Sequence, residues 1–246
     1  MALCIFLFQL VTVGSTPALD AADQAFERIE YPVALAGYIS VVREIPDDVA
    51  VLWRLARVYV CMAEVADEPQ RGMYLRRGEE YARKCIAADS MSAEGHTWLT
   101  AALGYIAFYG SKAEQVKLAW EILREADKAI ELNPKNDPAF SIKGSLYRAL
   151  GNAGWLERQL AQRFFGRLPD GGFEEGEAAL LRAIALRPDV MRHSYELAVL
   201  YVDWGRNEEA KKVLIQARSL PVRVAIDRPR LVKIQELLSE LEEEGR

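Results

Sequence analysis

The chain has 246 residues, 51% of them hydrophobic and 27% charged, with 31 basic side chains against 36 acidic ones and a net charge of −5. This composition suits a folded globular chain, long enough for one large domain or a repeat array. The mild acidic balance argues against sequence-independent binding to nucleic acid, which needs a broad basic face.

Met1 to Ala18 carries no charged side chain, and Cys4 to Val13 is almost wholly apolar. Small residues and the first acids follow in "TPALDAAD". This pattern reads as a secretory signal peptide over residues 1–18, cleaved after Ala18 or, alternatively, after Ala21. No Lys or Arg precedes the apolar core, and an uncleaved anchor is the other reading of the same segment. Export would place the protein in the periplasm or outside the cell; without a leader it is cytoplasmic. No later segment approaches the ~20 apolar residues of a membrane span. Cys4 would leave with the leader. Cys61 and Cys85 sit at core-facing helical spacings and read as buried small hydrophobes, although a disulfide between them stays open in an oxidising compartment.

From residue 19 to about 225 apolar residues recur at three- and four-residue spacing, and Gly, Pro and Asn mark the breaks, as in successive amphipathic helices. In chain order, "YPVALAGYISVVREIP" carries Ala34, Tyr38, Val41 and Pro46. "RGEEYARKCIAADS" carries Gly78, Ala82, Cys85 and Ser90; "EILREADKAIELNP" carries Ile122, Ala126, Ala129 and Pro134. "EEGEAALLRAIALRP" repeats the theme with Gly176, Leu180, Ala183 and Pro188, and Ala210, Leu214, Ala217 and Pro221 close the series. Before each of the last four lies a partner helix, marked by Trp53, Ala56, Arg57 and Val60; by Trp98, Ala101, Ala102 and Tyr105; by Phe140, Lys143, Gly144 and Tyr147; and by Leu197, Ala198 and Tyr201. This is the tetratricopeptide spacing, in which small residues let two antiparallel helices approach and a late Pro ends the second.

Two intervals exceed the repeat. About eight extra residues between Tyr105 and Ile122 should lengthen the flanking helices, and an insertion at about 152–172 has a helical pattern of its own in Trp155, Leu156, Leu160 and Phe164. Residues 226–246 read as a C-terminal capping helix, with Asp227 as N-cap, Pro229 early, and Leu231, Ile234, Leu237, Leu238 and Leu241 as one apolar stripe. The predicted fold is therefore all-α: an α-solenoid of tetratricopeptide-like helix pairs with a helical insertion and a C-terminal capping helix.

Several motifs in order make the sequence resemble the regulator of microtubule dynamics family and its bacterial exported relatives. They are "LWRLAR" (Leu52 to Arg57), "HTWL" (His96 to Leu99), "AIELNPKN" (Ala129 to Asn136), "WLERQLAQRFFGRLP" (Trp155 to Pro169) and "YELAVLYVDWGRNEEA" (Tyr195 to Ala210). The insertion is the most specific, since ordinary tetratricopeptide arrays lack a helix of that pattern there. The resemblance implies an all-helical, noncatalytic interaction protein, associated in eukaryotic members with microtubules and membranes.

No catalytic motif is present, and neither cofactor nor metal is called for: the two histidines, His96 and His193, lie outside any H-E-x-x-H pattern, and no C-x-x-C, G-x-S-x-G or phosphate-cradling glycine loop occurs. The expected functional surface is the concave face lined by first helices. The repeat projects Arg54, His96, Leu99, Ser141, Ser145, Arg148, Arg192 and Tyr195 toward it. Arg54, Arg148 and Arg192 together would suit an acidic peptide or a ligand carboxylate, with Leu99 and Tyr195 as apolar contacts; the alternative is an ordinary groove without a shared ligand. The insertion offers Trp155, Arg158 and Arg163 as a basic, aromatic contact surface for an acidic partner or membrane headgroups, unless its apolar residues pack onto the array and the arginines face water. The leading expectation is a protein-interaction scaffold. A periplasmic accessory protein binding a small carboxylate, or a cytosolic microtubule-associated protein, are its rivals.

Overall fold

The computed structural model describes residues 17–244, and among these the backbone forms twelve α-helices and no strand. They are α1 (Pro17–Glu27), α2 (Tyr31–Glu44), α3 (Val49–Glu64), α4 (Gln70–Ala88), α5 (Ala93–Tyr109) and α6 (Lys112–Leu132), followed by α7 (Asp137–Asn152), α8 (Trp155–Phe164), α9 (Phe173–Leu186), α10 (Met191–Asp203), α11 (Asn207–Ala217) and α12 (Asp227–Glu244). Residues 1–16 of the expected leader lie outside the described residues; Pro17 and Ala18 form the first turn of α1.

Short polar residues set where the helices begin. Asp48 accepts the Ala50 amide at 2.8 Å, Ser92 the Gly95 amide at 3.1 Å, and Asn136 the Ala139 amide at 3.1 Å, so α3, α5 and α7 each start on a side-chain cap. Ser111 and Glu114 form a reciprocal capping box on α6. That helix runs 21 residues and its partner α5 runs 17, which accounts for the extra length between Tyr105 and Ile122. Gly205, at φ +75°, turns the chain between α10 and α11. Asp227 acts differently from an N-cap: its carboxylate accepts the amides of Arg223 and Val224 at 2.9 and 3.1 Å, holding the loop before α12.

Helices pair as α1 with α2, α3 with α4, α5 with α6, α7 with α9, and α10 with α11, with α8 inserted in the fourth pair and α12 packed on the last. The small and apolar residues of the second helices form the seams: Ala34, Tyr38, Ala82, Cys85, Ala126, Ala129, Leu180, Ala183, Ala210 and Leu214 are all fully buried. Cys61 and Cys85 are both free and buried.

A close helix-to-helix approach lies between Gly144 and Gly176. A Cβ on Gly144 would sit 2.5 Å from Leu180 Cγ and 3.1 Å from the Gly176 carbonyl, and one on Gly176 would sit 3.2 Å from the Gly144 carbonyl. A Cβ on Gly78 meets the Ala56 carbonyl at 3.4 Å in the same way. Ala56, rather than Arg57, therefore occupies the small-residue slot of the second pair, and the sequence register of α3 was one residue late. Arg57 instead leaves its own pair for the first one. Its guanidinium lies 3.8 Å from the Phe26 ring centroid, donates to Tyr38 Oη at 3.2 Å and stands 3.4 Å from Asp23.

The first helices α3, α5, α7 and α10, with α12, form the inner layer. It curves until its ends meet. Glu64, at the end of α3, accepts from Arg192 at the start of α10, 128 residues on. The Ala225 amide donates to Tyr31 Oη at 3.0 Å, joining α2 to the loop before α12. The array is thus closed on itself rather than an open trough.

Candidate functional site

Closure leaves a cavity of about 800 Å³ inside the array, walled by α5, α6, α7, α8, α10 and α12. One part of its wall is apolar, made by Val116, Ile122, Ile142, Leu146, Leu160 and Phe165. The other part is charged, made by Glu64, Arg148, Arg192, Glu196, Arg230 and Lys233 around Tyr195.

The charged part is made largely of ion pairs. The Glu64 side chain is only 2% exposed and accepts from both Arg192 and the Tyr105 hydroxyl. Burial, and then the charge of Arg230, pull the Arg192 guanidinium down to about 10, so its cation is held at a cost. The 24% of Arg192 that stays accessible opens onto the cavity it lines. Burial likewise pushes the Tyr105 and Tyr195 hydroxyls up, with Glu196 adding to both. Arg148 donates to Asp203 at 2.7 Å and lies 4.0 Å from Glu196, which also accepts from Ser145 Oγ at 2.9 Å. Arg230 is paired with Asp227 on its own helix. Such a lining offers both guanidinium groups to an anion and apolar contact to its neighbours.

Of the residues expected on the concave face, Ser145, Arg148, Arg192 and Tyr195 do come together on this wall. The other four do not line it. Arg54 is bound by Asp23, with Nε 2.8 Å from each carboxylate oxygen, and donates to the Ala50 carbonyl at 2.7 Å. His96 is buried between Glu125 (Nδ1 at 2.6 Å) and the Ser90 carbonyl (Nε2 at 3.1 Å). Leu99 is core, packed with Ala56, Leu103 and Ile122. Ser141 is 1% exposed. The other histidine, His193, is also internal, with Nε2 2.9 Å from Asp137. Sequence reasoning missed Glu64, Tyr105, Glu196 and Arg230. Glu64 left a signal, being the sole acid in the apolar run of α3.

The insertion also departs from expectation. Arg158 turns inward, donating to the Leu150, Gly171 and Ala153 carbonyls at 2.6, 3.1 and 3.2 Å, and so ties α8 to the end of α7. Leu160 and Phe164 are 46% and 65% exposed rather than packed away. Arg163 is exposed, and the Trp155 side chain lies outside the described residues. Glu157 accepts the Gly154 amide at 3.3 Å. Among the described residues no helix is long and apolar enough to cross a membrane, and no group of three His, Cys, Asp or Glu side chains is placed to hold a metal ion.

Solved structures give the fold a counterpart. A thermophilic tetratricopeptide-repeat protein of Thermus thermophilus superposes with a TM-score of 0.66 at 21% identity, covering 93% of this chain and 98% of that one. Among curated proteins, regulator of microtubule dynamics protein 3 of Xenopus laevis is 28% identical over 195 residues, 78% of this chain and 42% of its own length. Regulator of microtubule dynamics protein 2 of Bos taurus is 24% identical over 197 residues, 79% of this chain and 48% of its own. The chain thus spans about half the length of the curated relatives it matches. The family model described as Regulator of microtubule dynamics protein 1-3 matches residues 18–242, from the first helix through the capping helix, and the chain belongs to that family.

Proposed function

We propose that the protein is a noncatalytic interaction scaffold that takes an acidic segment of a partner protein into its inner cavity. The observation that carries this reading is the meeting of Arg148, Arg192 and Tyr195 in one cavity that Ile142 and Leu146 also line. A carboxylate would exchange for part of the Arg148 pairing with Asp203 and Glu196, while apolar side chains of the same segment meet the apolar lining. The tetratricopeptide-like fold and the family both favour protein interaction over catalysis, and the two histidines are engaged in internal pairs. Peptide display against the purified protein tests the reading. Enriched peptides should be acid-bearing and should lose roughly tenfold or more in affinity to Arg148→Ala and to Tyr195→Ala, the scale of a lost charge-assisted contact. Peptides that bind both variants as well as the wild type would sink it.

Closure favours a second reading, a small carboxylate ligand for a transport system, because a pocket inside a closed ring suits a small molecule better than a threaded chain. Against it, Arg54 is not part of the pocket. Native mass spectrometry of freshly purified protein separates the two: a stoichiometric small-molecule adduct, lost in Arg148→Ala, supports the ligand reading. The names of the relatives raise a microtubule-associated role, which co-pelleting with polymerised tubulin decides. N-terminal sequencing of native protein decides export, a leader having left if the first residue is Leu19 or Ala22.

A further inference from the structure

The exposed face of α8 exceeds what the cavity uses: Leu160 and Phe165 line the cavity, Leu156 and Phe164 do not. Leu156, Leu160 and Phe164 stand at i, i+4 and i+8, hence on one side of the helix, and are 61%, 46% and 65% exposed; Phe165 follows at 53%. The opposite side is the anchored one, where Ala161 is buried and Arg158 is bonded to three carbonyls. The end of the insertion is held as well, since Trp120 Nε1 donates to the Arg167 carbonyl at 2.6 Å. An amphipathic helix has thus been fixed to the array with its apolar stripe turned to solvent. Phe108 and Tyr109, 67% and 45% exposed at the end of α5, lie with Leu160 and Phe165 around the same cavity.

Charge chooses among occupants. The one acid of α8, Glu157, is engaged at the first turn, capping Gly154. The far end of the stripe carries Arg163 and Arg167, both exposed, and the one partner of Arg167, Asp170, is 82% exposed and so only weakly held. An apolar stripe of rings and leucines bounded by guanidiniums matches the headgroup and upper acyl layer of an anionic bilayer, where each cation and each buried ring adds to binding. A protein groove would match the rings but would gain nothing from the cations unless it too were acidic. We propose that α8 is a monotopic docking element that seats the protein on an anionic lipid surface through Leu156, Leu160, Phe164 and Phe165, with Arg163 and Arg167 at the headgroups. This goes beyond the cavity reading, and it is tested at Leu156 and Phe164, which do not line the cavity.

Vesicle flotation of the full chain tests it. The apolar N-terminal segment is then present in every sample, so the wild-type-to-variant difference reports α8 alone. The protein should float with phosphatidylcholine vesicles containing about a third phosphatidylserine and far less with phosphatidylcholine alone. The double variant Leu156→Ser, Phe164→Ser should float roughly tenfold less, with unchanged helical circular dichroism. Arg163→Glu, a substitution at an exposed site, should weaken flotation and reduce its salt sensitivity. A Phe164→Trp variant should show more indole fluorescence quenched by acyl-brominated lipid than the wild type, whose five native tryptophans set the background. Equal flotation of wild type and the double variant would overturn the proposal, as would quenching in Phe164→Trp no greater than in the wild type. A wild-type dimer that becomes monomeric in the double variant, without lipid binding, would assign the stripe to a second copy of the chain instead.

Discussion

Two arginine groups face inward in this array, and they end in opposite conditions. Near the N-terminus, Arg54 and Arg57 converge on a single carboxylate, Asp23, with Tyr38 also donating to it at 2.6 Å. Burial raises the Asp23 carboxyl, but the hydrogen bonds from Arg54 and Tyr38 and the charges of Arg54 and Arg57 outweigh it, and the net shift is below the ordinary value. Near the C-terminus, Arg148 and Arg192 line a cavity, and burial pulls Arg192 down to about 10. The first group is a finished structural network. The second contains one cation, Arg192, held against desolvation, which an anion entering the cavity would relieve. The difference comes from the neighbours: α1 delivers Asp23 directly over α3, whereas the insertion of α8 between α7 and α9 holds a space open beside Arg148. An arginine in a groove position is a ligand candidate only after its own chain's carboxylates have been counted.

The largest effect should come from opening the closure that creates the second group. Glu64→Ala removes the buried partner of Arg192 and the acceptor of Tyr105. The cost of stranding a buried cation is about 3 kcal/mol, less the relief from the cavity face of Arg192. Denaturant unfolding should show a loss of about 2–3 kcal/mol, and small-angle scattering a larger radius of gyration. A stability loss without expansion would mean that the Tyr31–Ala225 contact alone holds the ring shut.

Next is the seam that sets the spacing between α7 and α9. Gly144→Ala places a methyl 2.5 Å from Leu180 Cγ and 3.1 Å from the Gly176 carbonyl; the leucine can move, the carbonyl cannot. Overpacking of this kind costs about 1–3 kcal/mol. Because the seam flanks the cavity, peptide binding should weaken along with the melting temperature. A variant that melts earlier yet binds unchanged would separate the seam from the site.

The repeat itself was legible in the sequence because its signals are local. Ala34, Gly78, Ile122 and Gly176 each sit 12 residues before a Pro or a Ser, and small residues at helical spacing are visible without any fold. The lengthened α5 and α6 followed from counting. The register of α3 failed because Trp53 resembles the aromatic that opens the motif, and only the Gly78 approach shows that Ala56 fills the small slot. The site was half legible for a different reason. Ser145, Arg148, Arg192 and Tyr195 lie on α7 and α10, where the repeat projection holds. Glu64 and Tyr31 matter through contacts across 128 and 194 residues, and curvature accumulated over five helix pairs is not written in any one of them. Arg54 was misassigned by the same gap: the sequence marked no first helix ahead of Tyr31, so Asp23 was not in view.

The smallest effect is the one that tests the N-terminal group on its own terms. Asp23→Asn keeps the size and the hydrogen-bonding oxygen but removes the charge shared by Arg54 and Arg57. The pair is about a quarter exposed, so solvent screening limits the loss to about 1 kcal/mol at neutral pH. The pH dependence is the sharper readout. A carboxyl whose folded value lies below its unfolded value of about 3.8 contributes fully above that value and loses its contribution as pH falls through the folded one. The stability gap between wild type and Asp23→Asn should therefore be flat down to about pH 4 and close below it, while Arg148→Ala, measured in the same series, should retain its gap through neutral pH without reference to Asp23. A gap that instead persists unchanged below the folded value would mean that packing of Phe26, Tyr38 and Arg57, and not the carboxylate, holds the first pair to the second.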